Sequence, residues 1–231
     1  MDTDHESISN MDCDYALMEV LQLRTIIFEL SKPPSVAGWE SALRKALKGA
    51  VRASEDRLDC IARSTQSELL AAASLRACGY SVELTEPDLN ITSPSGSQFQ
   101  IAVKRPRSHK KVQHNTCEAV KQLMRRRGES IIVLDLTYLE ACPKPIYVPR
   151  TGNLLLPARV LLDRHVSEFG DRLLSYVGQD VAILLHLSLP CRALDPPALM
   201  ISRRWLLLAL EYRIPYANLV QNLITKFESP A

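Results

Sequence analysis

Glycine is scarce, with eight in 231 residues, and no glycine-rich loop of the kind that cradles phosphates occurs. The six cysteines, Cys13, Cys60, Cys78, Cys117, Cys142 and Cys191, form no CxxC pair. That argues against a zinc ribbon and against a disulfide framework, so reduced, mostly buried thiols are expected. No apolar run is long enough to span a bilayer: the nearest, residues 15–30, is broken by Glu19, Gln22, Arg24 and Glu29. No basic n-region followed by an apolar h-region opens the chain. These absences predict a soluble, cytoplasmic protein without a membrane partner. A basic total is lacking too, because 28 Lys and Arg against 26 Asp and Glu leave a formal net charge of +2.

The charge is unevenly placed. Residues 1–14 hold five acidic residues and no Lys or Arg, whereas residues 104–127 hold nine Lys or Arg and one Glu. The basic stretch is Lys104, Arg105, Arg107, Lys110, Lys111, Lys121, Arg125, Arg126 and Arg127. Residues 104–130 contain no aromatic residue. Nucleic acid held there would be gripped by its phosphates and not by stacked bases, giving salt-sensitive and weakly sequence-selective binding. The alternative is a solvated face with no partner, which most charge runs are.

Periodicity divides the chain into a disordered acidic tail (1–14), an N-terminal helical segment (15–63) and a larger domain (64–231). A helix over 15–31 ends at Lys32-Pro33-Pro34. A second starts near Val36, with Trp39, Leu43, Leu47, Ala50 and Val51 on one face; Ser54 caps a further piece with Leu58 and Ile61 inward. These helices cover the core or form a homodimer contact. Thr65-Gln66-Ser67-Glu68 reads as a capping box opening a helix, and Gly79 as its C-terminal stop. Strands are expected over 80–84, 88–92 and 98–104, with a type I turn at Ser93-Pro94-Ser95-Gly96. A helix over 115–127 precedes an apolar strand at 130–136, buried on both faces. After a Pro-rich connection, Pro157 sits in the first turn of a helix facing inward with Leu162, Val166, Phe169, Leu173 and Val177. Strands at 181–189 and 199–203 and a helix over 216–227 complete an α/β pattern.

The strand at 98–104 points Phe99, Ile101 and Val103 to one face and Gln98, Gln100, Ala102 and Lys104 to the other. In an antiparallel hairpin Asp88 falls on the side of Lys104. Each residue has an ordinary explanation taken singly. Glu68 closes a capping box, Asp88 begins a strand after a turn, Lys104 ends a strand, and Gln122 sits exposed on a helix. His109 and His114, in the basic linker after Lys104, read as solvated loop residues and not as a helix-borne metal pair. His186, in an apolar strand, reads as a satisfied interior histidine.

Taken together, Glu68 on a helix, Pro87-Asp88, Lys104-Arg105-Pro106 and Ala119-Val120-Lys121-Gln122-Leu123 follow the order of the PD-(D/E)XK nuclease superfamily, which this chain resembles over about residues 64–136. The resemblance implies a restriction-endonuclease-like central mixed sheet flanked by helices. It also implies Mg²⁺-dependent phosphodiester hydrolysis, with Asp88 and Glu68 as metal ligands and Lys104 positioning or activating the attacking water. Gln122 would belong to the same site. The chain departs from the pattern at one place: the acidic residue two before the lysine is Ala102. A methyl group binds no metal, and loss of a carboxylate opposite a dication weakens the site by several kcal/mol. Gln100, two residues back on the same face, offers only a neutral oxygen. Three readings follow: a fold that kept its basic surface and binds DNA or RNA without cleaving and without a cofactor; a Mg²⁺-dependent nuclease with a rearranged site; and an interaction module working through its N-terminal helices.

Overall fold

In the computed structural model the described residues are 3–49, 61–85, 88–124, 128–139, 146–148, 156–194, 197–209 and 214–227. Ala50, Val51, Ser54, Leu58, Pro87, Arg125, Arg126, Arg127 and the three prolines of the Pro-rich connection, Pro143, Pro145 and Pro149, lie outside them, while residues 146–148 within that connection form a strand not expected from the sequence.

The strands expected around residue 90 form an antiparallel meander, β1 (Ser81–Leu84), β2 (Leu89–Thr92) and β3 (Gln98–Lys104). The turn between β2 and β3 closes with Gly96 N donating to Ser93 O at 2.9 Å. Helix α4 (His109–Leu123) then carries the chain to β4 (Ser130–Asp135), which lies parallel to β3 and is buried at every position. The long strand β6 (Val181–Leu194) pairs parallel with β4 through its first half and with β5 (Ile146–Val148) further on. Its other edge carries β7 (Pro197–Leu208), antiparallel along nearly its whole length. The result is a mixed α/β architecture with one seven-stranded sheet.

Side-chain alternation feeds two cores. One face carries Phe99, Ile101, Val103, Ile131, Val133 and Leu184 under helices α1 (Thr3–Ser31), α3 (Ile61–Ala77) and α6 (Ile214–Phe227). The other carries Ala102, Ile132, Leu134, Ile183 and Leu185 under α4 and α5 (Leu156–Leu174). Each fully buried Leu or Ile contributes about 1.5–3 kcal/mol. The inward face expected for α5 is present, with Leu162 and Leu173 buried and Val166 partly so.

The structure departs from several local expectations. Helix α1 begins at Thr3, so the stretch expected as a disordered tail runs into a helix. Asp14, 5 % exposed, takes a forked hydrogen bond from Arg192 at 2.7 and 2.8 Å. Of the two roles expected for the N-terminal segment, covering the core is the one seen, with Ile26, Leu30, Val36 and Ala46 sharing the sheet's first core. The short helix α2 (Trp39–Ala46) starts after Gly38 and leaves Leu47 exposed.

Helix α3 starts at Ile61, itself exposed, so Thr65 to Glu68 lie inside a helix and not at its cap. Thr65, Gln66 and Ser67 are buried, and Ser67 finds its partner across the fold in Asp135. Gly79 does stop this helix, at φ +87°. Helix α4 starts at His109, six residues earlier than expected, because Ser108 in extended conformation caps it by accepting from Lys111 N. His109 and His114 are therefore helical. No helix among the described residues is long and apolar enough to cross a membrane.

Candidate nucleic-acid site

The β2–β3 hairpin sets Asp88 beside Lys104. Asp88 Oδ2 accepts a hydrogen bond from Val103 N at 2.6 Å and lies 3.7 Å from Lys104 Nζ. Both side chains are largely enclosed, at 12 % and 18 % exposure, so the pairing is stronger than one fully in water. Lys104 opens into a pocket of about 320 Å³ between α3, the end of β3 and the first turns of α4. Its walls include Arg63, Glu68, Lys104, Arg107, Lys111 and Glu118. Thus three sequence-derived residues, Glu68, Asp88 and Lys104, gather at one end of the sheet.

Ala102 is 0 % exposed and packs in the second core with Val112, Ala119 and Leu123. Residue 102 is thus sealed beneath α4. Gln100 does not stand in for it: it lines a separate polar cleft with Ser81, Glu83, Asn90 and Glu129. Gln122 is not part of the basic pocket's wall, and its Oε1 is buried without a hydrogen bond among the described residues. Glu118 reaches the pocket but pairs with His114 at 3.4 Å on the exposed helix face. Among the described residues no three metal-ligating side chains converge around Asp88 and Glu68. With Asp88 Oδ2 turned to a backbone N–H and an ammonium, these residues do not fit the oxygen-rich shell that Mg²⁺ requires.

The basic stretch divides. Lys110, Lys111 and Lys121 are exposed along α4, and Lys110 and Lys121, about three turns apart, share a stripe. Arg105 is different. Its side chain is 5 % exposed; it donates to Arg63 O at 3.1 Å, lies 3.7 Å from Asp135 Oδ2 and stacks 4.1 Å over the Tyr138 ring. It builds the fold and is withdrawn from the phosphate-contacting set expected from sequence.

Asp135 anchors a buried polar network that the sequence did not disclose. Strand register puts Asp135 opposite His186, and Ser188 opposite Arg203. His186 Nδ1 lies 3.2 Å from Asp135 Oδ1, and its Nε2 lies 3.0 Å from Ser188 Oγ, which accepts from Arg203 Nε at 3.2 Å. Thr137 Oγ1 and Ser67 Oγ both donate to Asp135 at 2.6 Å. Burial pulls the Asp135 carboxyl upward, but the hydrogen bond with His186 and the charge of Arg105 outweigh it and hold the group well below the usual carboxylate range. Burial lowers His186 despite Asp135, keeping the ring neutral. Burial also brings Arg203 down to about 10, with Asp135 opposing. Donors and acceptors then run consistently from Arg203 through Ser188 and His186 to Asp135. This confirms His186 as a satisfied interior histidine. Only the pairing of β4 with β6 reveals its partner, since the two residues are distant in sequence.

The other sequence-derived partners resolve similarly. Acidic Asp14 meets Arg192, and Glu19 meets Arg63 and Tyr138. Among the described cysteines Cys13 is exposed, Cys78 and Cys117 are half-buried, and Cys191 is buried. Comparison of the chain with protein-family models, with curated proteins and with solved structures returns no match.

Proposed function

We propose that this protein binds DNA or RNA through the pocket at Lys104 and the adjoining face of α4, on a restriction-endonuclease-like core whose metal site is degenerate. The observation that carries the reading is the placement of Asp88 3.7 Å from Lys104, at a pocket shared with Glu68, while residue 102 is a buried alanine. The element order α3-β1-β2-β3-α4-β4, three antiparallel strands and then a helical crossover to a parallel one, supports it. So does the chemistry of the wall, where Lys104, Arg107 and Lys111 outnumber Glu68 and Glu118, Arg63 being paired with Glu19. With no aromatic residue in 104–130, contact is to the phosphate backbone.

The test is binding of labelled single- and double-stranded DNA and RNA across a salt series, with cleavage followed in parallel in Mg²⁺ or Mn²⁺. The expected result is salt-sensitive binding without cleavage. Lys111→Ala and Lys121→Ala each lower the slope of log K against log salt by about one. Metal-dependent cleavage abolished in Lys104→Ala would establish the nuclease alternative instead. Absence of binding at low salt would refute both.

A second reading has its own observation. Helix α1 shows an exposed apolar stripe of Leu17, Val20, Leu21, Ile27 and Phe28 at helical spacing, interrupted by Arg24. Such a stripe favours self-association through the N-terminal helix. Light scattering across a concentration series distinguishes monomer from dimer, and Phe28→Glu should shift a dimer to monomer.

A further inference from the structure

Glu168, on α5, approaches two histidines from different helices. His109 is the first residue of α4, directly after the Ser108 cap, and its Nδ1 lies 3.4 Å from Glu168 Oε2. His165 precedes Glu168 by one turn of α5, and its Nδ1 lies 3.9 Å from the same oxygen. One ligand atom from each residue falls within 4.8 Å of the other two. We propose that His109, His165 and Glu168 bind a zinc-class transition-metal ion joining the start of α4 to α5.

The distances suit that ion. Metal–ligand bonds of about 2.0–2.1 Å in tetrahedral geometry place neighbouring ligand atoms roughly 3.4 Å apart. The His109–Glu168 pair already has that separation, and small side-chain rotations bring the third ligand in. The ring positions are supported: His165 is 2 % exposed and stacks on Phe169 with centroids 5.6 Å apart, while His109 stands edge-on to both rings. Imidazole nitrogens with one carboxylate select Zn²⁺ or a similar borderline cation over Mg²⁺ or Ca²⁺. Three protein ligands leave one position for water. A plain histidine–glutamate ion pair would account for one imidazole at Glu168; convergence of two from separate helices is what metal ligation accounts for. The site would fix the first turn of α4, whose Ser108 and Lys111 line the basic pocket. It does not depend on whether that pocket binds nucleic acid.

Zn²⁺ and Co²⁺ would be titrated into the chelator-stripped full chain against a chromophoric competitor, with melting followed in the same samples. The variants are His109→Ala and Glu168→Gln, both at exposed side chains and therefore compatible with folding. The expected result is one equivalent of Zn²⁺ bound, a raised melting temperature with Zn²⁺ but not Mg²⁺, and at least tenfold weaker binding in each variant. Bound Co²⁺ should show the visible bands of tetrahedral coordination without a thiolate charge-transfer band. Equal affinity in His109→Ala and the unaltered chain overturns the proposal. So does a thiolate band, which would assign the metal to cysteine, and so does the absence of binding.

Discussion

Asp135→Ala removes the acceptor at the centre of the β4–β6–β7 polar network. Ser67, both donors of Thr137 and His186 lose the carboxylate they contact, and Arg105 loses an anion 3.7 Å away. Every one of these groups is buried or nearly so, and water cannot replace the lost partner without opening the core. Arg203, already pushed down to about 10 by burial, loses the negative charge that opposes this effect. Breaking a buried charge cluster by deleting one partner costs about 3–5 kcal/mol. For a chain of this length the melting temperature should then fall by roughly 6–20 °C. Urea unfolding monitored by circular dichroism, with calorimetry alongside, measures the change. A loss below about 1 kcal/mol would show that Asp135 is dispensable and refute the network as the polar keystone of the sheet. Ser188→Ala, which takes away one hydroxyl, should cost less, about 1–3 kcal/mol.

The same groups set the response to acid. Both folded values are depressed, so the stability linked to each is whole above its unfolded value and lost as pH falls below it. For His186 the decline begins near the ordinary value of about 6.5, and for Asp135 near about 3.9. Urea midpoints measured down the pH scale should therefore fall in two stages, and His186→Gln should remove the upper one; an unchanged profile in that variant contradicts the assignment. Gly79→Ala should destabilise by about 1–2 kcal/mol, because φ is +87° while the nearest atom to an added Cβ, Pro94 Cγ, is an unstrained 3.8 Å away. A neutral effect in thermal melting would argue against the left-handed stop of α3. Ala102→Asp should cost about 3 kcal/mol or more by placing a carboxylate in the core under α4. Unchanged stability together with new Mg²⁺-dependent cleavage would mean that the site is dormant rather than sealed.

Much of the sheet was legible because its signals are local. The alternation in 98–104 and the apolar run in 130–136 each identify a strand, and β3 has the expected bounds. Asp88 and Lys104 meet because a short hairpin admits one register, the pairing of Leu89 with Ile101. The C-terminal ends of β6 and β7 were underestimated: β6 continues past Pro190, which reads as a strand stop, and β7 runs to Leu208, five residues beyond its expected end, paired with β6. The start of α3 was hidden for a related reason: Thr65 and Ser67 resemble caps until Asp135 is known to face Ser67. The interception of Arg105 by Asp135 and Tyr138 left no trace in a stretch that reads as uniformly basic.

By itself, the sequence determined the α/β class and the order of its longer elements, the inward faces of α5 and β3, and the hairpin that joins Asp88 to Lys104, but not the short strand β5. These depend on periods of 2 and 3.6 residues and on turn chemistry, which act over a few neighbours. Tertiary structure alone decided which charges stay in solvent and which are drawn inside. It set Asp135 against His186, withdrew Arg105 from the basic face, and brought His109 to Glu168. Those partnerships join residues far apart in sequence, and they exist only once parallel strand pairing and helix packing have fixed their distance.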